Sequence, residues 1–199
     1  MIPLFLCITA YLLGAIPFGY LMGKFLRGID IRQHGSGNPG ATNVFRVLGA
    51  GPGAVTLLLD ALKGLLPVAV ALRMGSSEAT AVAVGMSAIA GHMFTIFLRF
   101  RGGKGVATSA GVFAALLPGP AGLALAAFAV VFGVSGYVSL GSIVAAVVLP
   151  LSARLAGVTP LRFVCALTIG AFIIYKHLPN IRRLLDGTEN KIRFNRKRS

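Results

Sequence analysis

Two long stretches of this chain leave little choice of solvent. Residues 1–23 carry no charged side chain, and residues 106–175 carry only Arg154 and Arg162. A helix that crosses a bilayer needs about 20 predominantly apolar residues, and both stretches supply such runs. Composition agrees. Of 199 residues 56% are hydrophobic and 12% charged, against about 25% charged in a soluble domain. Mean hydropathy is +0.83, yet the formal net charge is +14. A chain both this apolar and this basic is no ordinary globular domain, disordered segment or disulfide scaffold. It reads as an all-α polytopic membrane protein whose cations gather in loops. With no tryptophan, and with most Phe and Tyr inside apolar runs, nucleic acid is not an expected partner. Cys7 and Cys165 lie in apolar segments without metal-ligand spacing and read as small buried hydrophobes.

One integral membrane domain, 1–199, is expected. Full-length spans fall near 3–23, 53–72, 79–98 and 160–175. The pieces 106–117, 121–135 and 141–153 are shorter, as inset helices around a polar cavity would be. The first segment has no cation before its apolar core, so it reads as a retained span with the N-terminus outside rather than a cleaved signal. Fifteen of the 19 Lys and Arg residues fall in loops at about 24–51 and 99–105 and in the tail 176–199. The positive-inside rule makes these cytoplasmic, together with a turn at about 136–140. An even number of spans must then join loop 99–105 to the tail. The breaks favour seven transmembrane helices over five, with the C-terminus cytoplasmic and the cavity facing that side. Small residues such as Gly14, Gly85, Gly111, Gly133 and Gly170 suit close helix packing in lipid.

Three polar clusters fall on the side that the cations mark. In the first, Gly35, Gly37 and Gly40 free the backbone, Ser36, Asn38, Thr42 and Asn43 offer neutral hydrogen-bonding groups, and Arg46 adds a rigid fork of donors. A linker explains the glycines but not the density of donors. The second is Gly102-Gly103-Lys104-Gly105, with Thr108 and Ser109, directly before an apolar helix. A glycine loop, a cation and a helix N-terminus suit a phosphate. It is not a Walker A loop, because Leu98 stands where that motif needs glycine and Gly105 where it needs Ser or Thr. Alone it reads equally as a basic turn at the membrane edge. The third holds His177, Asn180, Arg182, Arg183, Asp186 and Glu189. Pro179 is expected to end the last helix and leave His177 and Asn180 near the interface.

Asp60 and Lys63 share one helical face, either as an internal ion pair or to position the substrate loops. Ser139 and Ser142 flank the third turn, and His92 reads as structural. Arg193 to Arg198 suit anionic lipid. Together the clusters describe a site for an anionic, phosphorylated ligand, with apolar walls for a lipid-like co-substrate.

At these residues the chain resembles the bacterial acyl-phosphate:glycerol-3-phosphate acyltransferase family (PlsY type). The likeness runs through Pro17-Phe18-Gly19-Tyr20, residues 35–46, Asp60-Ala61-Leu62-Lys63-Gly64, residues 102–108 and residues 177–191. It implies a seven-span enzyme of the bacterial inner membrane, with its active site on the cytoplasmic side. Such an enzyme moves an acyl group from acyl phosphate to the 1-hydroxyl of sn-glycerol 3-phosphate, giving lysophosphatidic acid and inorganic phosphate. No metal or cofactor is expected; membrane lipids and an enzyme that makes acyl phosphate are the implied partners. Ser36, Arg46, Lys104, His177 and Asn180 are expected to be catalytic. Gly37, Asn38, Gly40, Thr42, Asn43, Gly102, Gly103, Gly105, Thr108 and Ser142 are expected to bind substrate.

The residues are consistent with that chemistry. Five positions beyond His34, His92 and His177 stand Pro39, Phe97 and Arg182, so there is no His-x4-Asp pair to make a general base. An acyl phosphate is already an activated anhydride, so orientation and charge stabilisation suffice. Direct transfer without an acyl-enzyme is expected, with a substrate phosphate oxygen taking the proton and His177 orienting. The alternative is a membrane transporter or binding protein for a phosphorylated small molecule, although no repeated halves are visible. A metal-dependent alcohol phosphotransferase needs clustered aspartates, which Asp30, Asp60, Glu78, Asp186 and Glu189 do not supply. A purely structural subunit would leave the three clusters unexplained.

Overall fold

The first apolar stretch does not stay straight, because Pro17 lacks the N–H that would continue the helix. In the computed structural model, which describes residues 1–192, this stretch forms α1 (Ile2–Ala15) and α2 (Phe18–Arg27). Gly28, at φ 68°, then closes α2 in the left-handed conformation. The loop expected at 24–51 is shorter than supposed and partly helical. It holds a single 3-10 turn (Ile31–Gln33) and the short α3 (Ala41–Leu48). Next come α4 (Ala50–Arg73) and α5 (Glu78–Met93). A second 3-10 turn (Ile96–Leu98) leads to α6 (Val106–Leu116).

The remaining helices are α7 (Pro118–Ser135), α8 (Val138–Leu155), α9 (Pro160–Lys176) and α10 (Leu178–Leu185). Two of the expected short middle pieces are thus full 18-residue helices. Pro118 and Pro120 occupy the first turn of α7, where a missing N–H costs nothing. The turn expected at 136–140 shrinks to Gly136 and Tyr137. Pro179 does not stop the chain from being helical. It sits in the first turn of α10, which leaves α9 at a bend of 55°.

Five apolar segments are long enough to cross a membrane, counting α1 with α2, and the bent pair α9–α10 makes a sixth. The 11-residue α6 spans only about 16 Å, half a bilayer core. No strand occurs among the described residues. Helix α1 lies on α5, α4 on α6, and α7 on α8, which also packs on α9. Val68, Val84, Ile89, Val112 and Phe113 fill the core between these layers, while Phe5, Leu58, Leu123 and Val134 point outward. The α4–α6 contact depends on glycine, since a β-carbon on Gly64 would overlap the Thr108 carbonyl and one on Gly111 the Ala61 carbonyl. Gly133, expected to serve the same purpose, has nothing within 4 Å of where its β-carbon would stand.

Candidate active site

Three helix ends meet at one end of the bundle and enclose a cavity of about 140 Å³. Its walls come from the 36–46 segment, the N-terminus of α6, the start of α8 and the α9–α10 bend. Ser36, Asn38, Gly40, Thr42, Asn43, Arg46, Lys104, Gly105, Ser142, His177 and Asn180 all line it. The three clusters, far apart in sequence, are therefore one site in space. Leu57, Val106, Phe128 and Val138 form the apolar part of the wall.

Asn43 builds the first wall. Its side-chain amide donates to the carbonyls of Ile31 (3.1 Å) and His34 (2.9 Å), and its oxygen accepts from the Ser36 N–H at 2.8 Å. Being buried and fully bonded, it shapes the loop that presents Ser36. Asn38 folds the following turn by accepting from the Gly40 N–H at 2.9 Å. Arg46 projects from α3 and donates to the Asn190 carbonyl at 3.0 Å, while its buried Nε finds no partner among the described residues.

The second wall divides between structure and site. The Gly102 and Gly103 amides donate to the Met93 and His92 carbonyls at 3.1 and 3.2 Å, so they hold the loop and are spent. Both glycines line a smaller neighbouring cavity instead. Gly105, at φ 82°, starts α6, whose first amides have no helical acceptor and whose dipole is positive toward the cavity. Thr108 is buried against α4 and lines neither cavity, and Gly37 makes a turn at φ 73° outside the wall.

Lys104 reaches across to Asn180, donating to its Oδ1. Asn180 donates in turn to Glu189 Oε1 at 2.7 Å, and the same carboxylate accepts from Ser139 (2.8 Å) and Arg183 (2.7 Å). Burial pushes the Lys104 ammonium down to about 8; Glu189 opposes this, while Arg183 and Arg46 reinforce it. Burial pushes the Glu189 carboxyl up, but hydrogen bonds from Asn180, Ser139 and Arg183 outweigh it and hold the group below its ordinary value. Glu189 is thus ionised, with Arg183 as its ion-pair partner at 2.7 Å. His177 donates from Nδ1 to the Ile173 carbonyl at 2.8 Å, which leaves Nε2 as an acceptor. Ser142 donates to the Val138 carbonyl at 2.8 Å and keeps its lone pairs.

Sequence reasoning missed Glu189 as an organiser of the site. Its only signal was a carboxylate within a strongly cationic tail. Asp60 and His92 also reach the cavity, from α4 and α5.

These features define a class: an integral membrane helix bundle with a basic, donor-rich cavity beside apolar walls. A model of the family "Glycerol-3-phosphate acyltransferase" matches residues 4–187, and the chain belongs to that family. A glycerol-3-phosphate acyltransferase of Trichlorobacter lovleyi is 50% identical over 96% of this chain and 97% of its own. One of Endomicrobium trichonymphae is 46% identical over the whole of both chains. The crystal structure of PlsY (YgiH), an integral membrane glycerol 3-phosphate acyltransferase in its glycerol 3-phosphate form, superposes with a TM-score of 0.92. It shares 42% identity and covers 97% of this chain and 96% of that one. The lysophosphatidic acid form gives 0.89 at 41% identity.

Proposed function

We propose that this chain transfers the acyl group of an acyl phosphate to the 1-hydroxyl of sn-glycerol 3-phosphate. The products are lysophosphatidic acid and inorganic phosphate, and the reaction is the first acylation of phospholipid synthesis. The observation that carries the reading is that, among the described residues, Arg46 and Lys104 hydrogen-bond to neutral oxygens only, beside the open N-terminus of α6. Both cations keep charge for a ligand phosphate. In this reading Ser36, Ser142, Asn180 and His177 Nε2 orient the glycerol hydroxyls and the donor carbonyl.

The 1-hydroxyl oxygen bonds to the acyl carbon, the bond to the phosphate oxygen breaks, and a phosphate oxygen takes the hydroxyl proton. No acyl-enzyme is needed, because the leaving group is already good. The apolar wall of Leu57, Phe128 and Val138 suits an acyl chain arriving from the bilayer. Charge asymmetry supports seven helical passes, with α6 short and inset, the N-terminus outside and the site on the cytoplasmic face of a bacterial inner membrane. Membrane lipids and an enzyme that generates acyl phosphate are the proposed partners. Arg193 to Arg198, proposed from sequence to touch anionic lipid, lie outside the described residues.

The direct test mixes purified protein, glycerol 3-phosphate and acyl phosphate and measures phosphate release, with acyl-CoA as the control donor. Release with acyl phosphate and none of the thiol from acyl-CoA is expected. Turnover with acyl-CoA alone would refute the proposal.

A further inference from the structure

A buried cluster at the wall of the cavity has no role in the chemistry above. Asp60 of α4 puts Oδ1 2.7 Å from Lys63 Nζ and 3.6 Å from His92 Nδ1 of α5, and all three side chains are at most 9% exposed. Lys63 also donates to the Ile16 carbonyl at 2.8 Å, in the break between α1 and α2. His92 is held on its other side as well. Its Nε2 faces the Gly103 α-carbon so closely that a β-carbon there would overlap the ring, and its own carbonyl accepts from the Gly103 N–H at 3.2 Å. A β-carbon on Gly102 would likewise overlap the His92 carbonyl. The imidazole is therefore a spacer between a carboxylate and the glycine loop. Lys104 is the next residue of that loop.

We infer that Asp60 and His92 are positioning residues: Asp60 sets its carboxylate against one edge of the imidazole, the imidazole sets the height of the glycine loop, and the loop places Lys104 in the cavity. The two roles of a buried ion pair, packing and positioning, make different predictions. A packing role lowers the yield of folded protein but leaves each folded molecule with its normal affinity. A positioning role weakens phosphate binding, and does so only while Lys104 is there to be misplaced.

The inference rests on the proposed function for the identity of its ligand, so two probes are used on the full-length protein in detergent, glycerol 3-phosphate and inorganic phosphate. Calorimetric titration of H92A should show both bound about tenfold more weakly than by wild type, and by less than about twofold more weakly when the same change is made in a K104A background. H92N retains an amide donor near the place of Nδ1 and should recover part of the loss. D60N combined with K63Q, which removes the buried charge pair together, should behave like H92A. Thermal unfolding in detergent confirms that each variant compared is folded. Unchanged affinity in folded H92A, or the same loss with and without Lys104, would overturn the positioning role. If wild type binds phosphate but neither binds nor acylates glycerol 3-phosphate, the proposed function fails while the coupling to Lys104 is still read from phosphate.

Discussion

Both ends of this bundle hold partly buried cations, and they use them differently. At the far end from the cavity, Arg162 of α9 meets Glu78 of α5 at 2.7 Å and donates to the Leu116 carbonyl, at the end of α6, at 3.0 Å. Its charge is cancelled by a carboxylate, and its geometry clamps three helices. At the cavity end, among the described residues, Arg46 and Lys104 hydrogen-bond only to the Asn190 carbonyl and the Asn180 amide oxygen. Glu189, whose charge acts on both at longer range, accepts its hydrogen bonds from Ser139, Asn180 and Arg183. A cation taken partly from water without a direct ion pair is costly, and a fold can keep it where a ligand completes the pair. Cancelled charge marks architecture and uncancelled charge marks function.

The largest effect should follow from removing the uncancelled charge. Lys104→Met keeps the length of the side chain and loses the ammonium. Loss of one preorganised donor at a site of developing charge costs about 10²–10³ in turnover. That fall is expected in phosphate release, while the thermal midpoint stays near wild type because no carboxylate loses its partner. A variant with near-normal turnover would remove Lys104 from the site and erase the contrast between the two ends.

A smaller effect comes from titrating the same residue. Lys104 is held at about 8 instead of 10.5, so it is a full cation below that pH and loses charge above it. The KM for glycerol 3-phosphate should rise as pH climbs past about 8, approaching tenfold per unit, whereas a normal lysine would hold until about 10.4. Bound phosphate favours the charged amine, so the limb in kcat should lie at higher pH than the limb in kcat/KM. Lys104→Arg, charged throughout, should flatten the KM limb. A wild-type KM that stays flat to about pH 9.5 would mean that the amine is not the group meeting the phosphate.

How much of this was legible beforehand follows from which interactions are local. Span positions came through because apolar run length is a property of consecutive residues. The starts of α7 and α10 did not, since Pro118, Pro120 and Pro179 read as breaks when they occupy first turns. Glycine and donor density revealed the 35–46, 102–105 and 177–180 segments, which the structure brings into one cavity. It could not show which glycine amides were spent, because the acceptors at His92 and Met93 lie in a neighbouring helix. Nor could spacing show Asp60 against His92, a pairing made by the packing of α4 on α5. Thr108 reads as part of the phosphate cluster because it follows the glycine loop in sequence, but in α6 its side chain is buried against α4.

The smallest expected effect tests the architectural end. Arg162 and Glu78 are each about a third exposed, so their pair is partly screened and worth roughly 1 kcal/mol or less. Arg162→Leu should lower the thermal midpoint in detergent by a few degrees (about 2–4 °C) and leave the KM for glycerol 3-phosphate unchanged. Its diagnostic value comes from α6, which carries the Arg162 contact at its C-terminus and the Lys104 loop at its N-terminus. The helix is also held along its length, by Gly64 and Gly111 against α4 and by Phe113 in the core. If those contacts fix its height, releasing one end cannot move the other. A KM shift like that of the Lys104 variants would show instead that the helix slides as a rod. The cancelled charge at one end would then be setting the place of the uncancelled charge at the other.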